Sequence, residues 1–158
     1  SMQKTLPPIV SVHGQTPQKW EKNDQAYSSD DLIVAFLDGK RAGADEKERI
    51  LMKQFGSNLD KAAKISEDLL QRATDLKIQI HNIHLKAEGI SIFKALYVVE
   101  HSDYISENFL KIYSTGKDIR TQVNSDDFHI TFSFMPYSDH MNMHCLFSDG
   151  FFLTYEKK

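Results

Sequence analysis

The hydrophobic period of this chain changes near Lys77, and that break limits its fold more than any other feature. Upstream, apolar residues recur at the three-and-four spacing of an amphipathic helix. Downstream they alternate at the two-residue spacing of strands. Of the 17 aromatic residues 13 lie beyond Lys77, and so do six of the seven histidines. Helices first and a sheet second define an α+β chain.

The helical half carries its own punctuation. Ser28 and Asp31 match a capping box, and Leu32, Ile33, Phe36 and Leu37 follow as an apolar face. Gly39 and Gly43 interrupt that face. Ile50, Leu51 and Phe55 resume it before Gly56, an expected helix stop. Ser57 and Asp60 repeat the capping signature. Leu59, Ala62, Ala63, Ser66, Leu69, Leu70 and Ala73 then predict the clearest amphipathic helix, over 58–75.

Beyond Lys77, Ile83 and Leu85 fit a first strand and Glu88-Gly89 a turn. Ile92 to Val99 is apolar on both faces and predicts a central strand. Ser102 or Asp103 is expected to cap a helix over 103–115 that bears Ile105, Phe109, Ile112 and Tyr113 and stops at Gly116. The polar stretch from Lys117 to Asp127 then reads as a loop. Phe128, Ile130, Phe132 and Phe134 alternate with polar residues as far as Pro136, which predicts a strand with one wetter face. Residues 141–147 fit either a strand or a short helix. Ser148-Asp149-Gly150 is a turn, and Phe151, Leu153 and Tyr155 make a last strand.

Residues 1–27 have weak periodicity and hold Pro7, Pro8 and Pro17. They are expected to form an arm packed on a single domain of residues 28–158, with Trp20 as its anchor and Ile9, Val10 and Val12 as a possible edge strand. The expected fold is α+β, with N-terminal helices packed on one face of a mixed or antiparallel four-stranded sheet, in the order α-α-β-β-α-β-β. From Leu59 to Phe134 this order resembles the small core of nucleotidyltransferase domains. Those enzymes need a Gly-Ser turn after the first strand and paired aspartates on the second. Here the turn is Glu88-Gly89 and the second strand has no aspartate.

At 158 residues the chain suits one domain without disulfide staples. No apolar run approaches the roughly 20 residues a membrane helix needs. Ser1 before Met2 reads as a cloning remnant, no secretory leader is visible, and Cys145 is the single cysteine, so a reducing, cytoplasmic setting is expected. Residues 1–77 carry 12 basic and 12 acidic side chains, whereas residues 78–158 carry 7 and 10. The aromatic half is thus the acidic half. Single-strand nucleic-acid binders set aromatics in basic grooves, so neither a nucleic acid nor an anionic membrane is the expected partner.

The best metal candidate is the segment from Asp139 to Cys145. His140 and His144 share a face in either a helix or a strand, and imidazole, thioether and thiol suit zinc or copper. His81 and His84, three apart on a strand, face opposite ways and cannot chelate one ion unless the preceding helix runs on past Lys77. His129 lies beside Thr131 and Ser133 on a wetter strand face, where it could serve as a third ligand or a general base. The i, i+4 pair Asp103 and Glu107 is explained by the helix start it occupies. No nucleophile elbow or phosphate loop occurs.

With no catalytic signature, the first expectation is a non-catalytic module for protein interaction or for self-association as a homodimer. Trp20, Phe151, Phe152 and Tyr155 are its candidate partner-binding residues. Phe151 and Phe152 are adjacent, so one of them must meet something other than the main core. A small metal-dependent enzyme using His140, His144 and His129 is the second expectation. A degenerate nucleotide-binding domain is the third.

Overall fold

The computed structural model describes residues 16–26, 28, 30–39, 43 and 45–156. The elements are β1 (Trp20–Lys22), α1 (Asp31–Leu37), α2 (Glu46–Asp75), β2 (Ile80–Ala87), β3 (Ile92–Val99), α3 (His101–Tyr104), α4 (Asn108–Val123), β4 (His129–Pro136), α5 (Met143–Ser148) and β5 (Leu153–Glu156). The possible edge strand at Ile9, Val10 and Val12 lies outside the described residues, as does Tyr27.

Side-chain caps start α1, α2, α3 and α5 but not α4, and packing carries the long helices past their glycines. Asp30, not Ser28, caps α1: its carboxylate accepts from the Leu32 amide at 2.9 Å and the Ile33 amide at 3.4 Å. Asp45 caps α2 through the Glu48 amide at 2.8 Å. The expected stop at Gly56 and restart at Ser57–Asp60 do not occur. α2 runs 30 residues through all of them, because Met52, Phe55, Leu59 and Ala62 form one uninterrupted buried stripe. Gly56 serves contact instead of termination. A β-carbon there would lie 3.1 Å from the Phe36 ring, so the glycine lets α1 pack closely on α2. A mid-helix glycine costs about 1 kcal/mol relative to alanine. Burying Phe36 contributes roughly 1.5–3 kcal/mol in return.

The period break has a structural form. Lys77 sits in the left-handed region at φ 60°. Its amide donates to Thr74 O and the Ile78 amide to Ala73 O, both at 2.9 Å. This paired closure ends α2 and releases the chain into β2.

Among the described residues the sheet has five strands, one more than the sequence reading expected, in the order β1-β5-β2-β3-β4. The extra strand is β1, which pairs antiparallel with β5 through Trp20 opposite Tyr155. β2 pairs antiparallel with β3 and β5. β3 and β4 are parallel, so the sheet is mixed. Parallel neighbours need a crossover, and α4 provides it.

α2 and α4 pack on one face of the sheet. Phe93, Ala95, Tyr97 and Val99 of β3 are buried. The Tyr97 hydroxyl donates to Ser66 O on α2 at 2.7 Å, and Tyr97 also stacks on Phe134 of β4 at 5.4 Å between ring centres. α4 does not end at Gly116, nor do 117–123 form a loop. Gly116 is buried where α4 meets Leu69 of α2 and Phe132 of β4, each 3.5 Å from where a β-carbon would sit. α3 begins after Glu100, whose carboxylate accepts from the His101 amide, rather than at Ser102 or Asp103. The ambiguous 141–147 segment contributes to helix α5.

Candidate functional site

The expected partner residues Trp20, Phe151 and Phe152 are buried within the chain itself. The Trp20 indole donates to Glu67 Oε2 at 3.0 Å and packs against Tyr155, which is half-buried. Phe152 belongs to the main core. Phe151 lies near His84, with the Lys86 ammonium 5.0 Å from its ring centre. The neighbouring phenylalanines therefore serve different parts of one molecule. A groove of about 810 Å³ runs beside Trp20 between α2 and the β1–β5 edge; four carboxylates and two lysines line it.

The histidines do not converge. His129 opens β4 and is exposed; His140 lies in the loop before α5 and His144 in its first turn, both exposed. Among the described residues, no three His, Cys, Asp or Glu side chains form a group able to hold a metal ion. His81 stacks on Tyr137 at 4.1 Å between ring centres and meets Glu100 at 3.5 Å. His84, in contrast, is fully buried. Its Nδ1 lies 3.0 Å from Thr154 Oγ1, which also accepts from Asn23 Nδ2 at 2.9 Å. Burial pushes the imidazole down to about 4, so it is neutral at pH 7. This cluster ties the residue after β1 to β5 and β2. An imidazole so enclosed meets no solvent-borne substrate.

The surface that stands apart is the β4 edge. The His129 amide donates to Ser91 O and the Tyr137 amide to Val99 O, so odd-numbered peptide groups of β4 face β3. Alternation then points the peptide groups of Ile130, Phe132 and Phe134 away from the sheet. Asn124 occupies the first of these. Its amide accepts from Ile130 N at 2.9 Å and donates to Ile130 O at 3.1 Å, imitating a neighbouring strand. Pro136 carries no N–H at the far end. Between them, the outward groups of Phe132 and Phe134 have no hydrogen-bond partner among the described residues.

An apolar surface borders this window. Tyr104, Phe109 and Tyr113 form a chain of ring contacts that ends on Phe134. Tyr113 is 56% exposed, Leu110 one turn before it on α4 is 69% exposed, and Ile105, just after α3, is 71% exposed. Single exposed apolar residues are ordinary, but a group beside an open strand edge is not. A groove of about 230 Å³ lies between α4 and β4, lined by Tyr113, Gly116, Lys117, Arg120, Phe132 and Phe134. The sequence held one clue to it. The buried residues Ile112, Gly116 and Ile119 follow helical spacing, and Leu110 falls off that stripe. That β4 lies at an edge has no local signal, because only the pairing of distant strands decides it.

No protein-family model matches the chain, and no curated protein or solved structure shows significant similarity to it. No helix among the described residues is long and apolar enough to cross a membrane.

Proposed function

We propose that this domain is a non-catalytic protein-interaction module whose docking face is the α4–β4 edge. One observation carries the reading: two outward peptide groups on β4 without a partner among the described residues lie beside the exposed Tyr113, whose ring meets Phe134, with exposed Leu110 one turn earlier on α4. Unpaired strand edges and contiguous apolar surface are the two features that soluble domains otherwise cover or blunt. The face is thus displaced from the residues that sequence alone proposed, since Trp20, Phe151 and Phe152 serve the interior.

Site-specific photo-cross-linking tests this. A photoreactive amino acid at Leu110 should give discrete adducts in native lysate. The same group at Ile50, which is 57% exposed on α2, should not. Tyr113→Glu should abolish the adducts at position 110. Identical patterns at 110 and 50, or adducts indifferent to Tyr113→Glu, would remove the basis of the reading.

A further inference from the structure

We infer that the occupant of this face is an extended acidic segment of a partner protein, which adds beside β4 as a sixth strand; the inference rests on the docking reading above. The window sets the occupant's shape. Asn124 seals Ile130 on one side and Pro136 closes the other, so the free peptide groups are those of Phe132 and Phe134. They match an extended segment of about five residues, roughly 16 Å long. A helix laid across them would leave them unpaired.

The groove sets the occupant's side chains. A sixth strand would direct alternate side chains toward α4, into the space between Tyr113, Lys117, Arg120, Phe132 and Phe134. The Tyr113 end is aromatic. The Lys117 and Arg120 end is cationic, no carboxylate lines the groove, and neither cation has an ion-pair partner among the described residues. Tyr113 and Lys117 are four residues apart on a helix, about 6 Å along its axis. Side chains on one face of a strand repeat at nearly the same interval, roughly 6.6 Å. An apolar and an acidic residue two apart therefore match the groove. A second copy of this chain fits less well: its β4 would offer Ile130, Phe132 and Phe134 toward the groove and no carboxylate for the two cations.

The probes are two capped heptapeptides, Thr-Val-Thr-Glu-Thr-Val-Thr and the same sequence with lysine for glutamate. The readout is amide hydrogen exchange of the full chain at millimolar peptide. The glutamate peptide should slow Phe132 and Phe134 about tenfold and leave Thr131 and Ser133, which already face β3, unchanged. The lysine peptide should protect them at least about fivefold less. Lys117→Glu with Arg120→Glu, both on the exposed side of α4, should invert that preference while the circular dichroism spectrum stays unaltered. Absence of protection by either peptide overturns strand addition; if Leu110 adducts persist, the interaction reading survives that failure. Equal protection by both peptides overturns the acidic assignment. Loss of the Leu110 adducts overturns both.

Discussion

At one edge of the sheet, β1 is three residues long and side chains hold it down; at the other, β4 is eight residues long and two of its outward peptide groups have no partner among the described residues. The β1 side is anchored three ways. Trp20 donates to Glu67, Lys22 donates to Leu37 O and sits 3.6 Å from Asp38, and Asn23 joins Phe151 O and the Thr154 hydroxyl. Among the described residues the β4 side has one comparable device, the Asn124 amide, and it stops at Ile130. The large aromatics at the first edge turn inward, and at the second Tyr113 turns outward. Apolar content does not separate the two edges. What separates them is length and anchoring: β1 is short and its side chains tie it to α1 and α2, while β4 is long and the Asn124 amide reaches only Ile130.

Trp20→Ala should produce the largest effect, lowering stability in denaturant unfolding by ~3–5 kcal/mol through a cavity under β1 and loss of the Glu67 bond. A loss below ~1 kcal/mol would mean that this edge is not anchored as described.

Acid should weaken the same side next. The buried His84 ring faces Thr154 and, through it, Asn23; Lys86 is the nearest cation on its own strand, and it lies over Phe151. The folded imidazole titrates near 4 and an unfolded one near 6.5. Above 6.5 both states hold the neutral ring and the full stability is present. As pH falls from 6.5 toward 4 the unfolded state gains a proton that the folded state refuses, so stability drops by up to ~3 kcal/mol. His84→Gln should flatten the slope of stability over that window.

Asn124→Ala probes the other edge. It removes both bonds to Ile130 and should cost ~1–2 kcal/mol. It should also raise exchange of the Ile130 amide to the rate of Phe132. Leu110→Glu should change stability least, by within about 0.5 kcal/mol, and Tyr113→Glu by about 1 kcal/mol through its ring contacts with Phe109 and Phe134. Their main effect should appear in partner capture.

The sequence revealed most where burial imposes a short local period. Ile92–Val99 marked β3 end to end because its odd-numbered residues are buried under the helices, although its other face is partly open, with Ile92 exposed. The alternation of Phe128, Ile130, Phe132 and Phe134 marked β4 for the same reason. Glycine and capping residues misled where tertiary contact overrode them. Gly56 accommodates Phe36 and Gly116 lets α4 approach α2 and β4, and neither ends a helix. β1 is too short for a period, and its partner lies more than a hundred residues away. The bare edge was invisible for a related reason. Strand order, rather than the residues of β4, leaves Phe132 and Phe134 on the outside.

Amide hydrogen exchange along β4 in the free chain tests the open edge most directly. The account predicts slow exchange at Thr131, Ser133 and Met135, which bond β3, and at Ile130, which bonds Asn124. Phe132 and Phe134 should exchange at least about tenfold faster than these neighbours. Protection of Phe132 and Phe134 equal to that of Thr131 and Ser133 would show the edge already occupied, and would contradict the account.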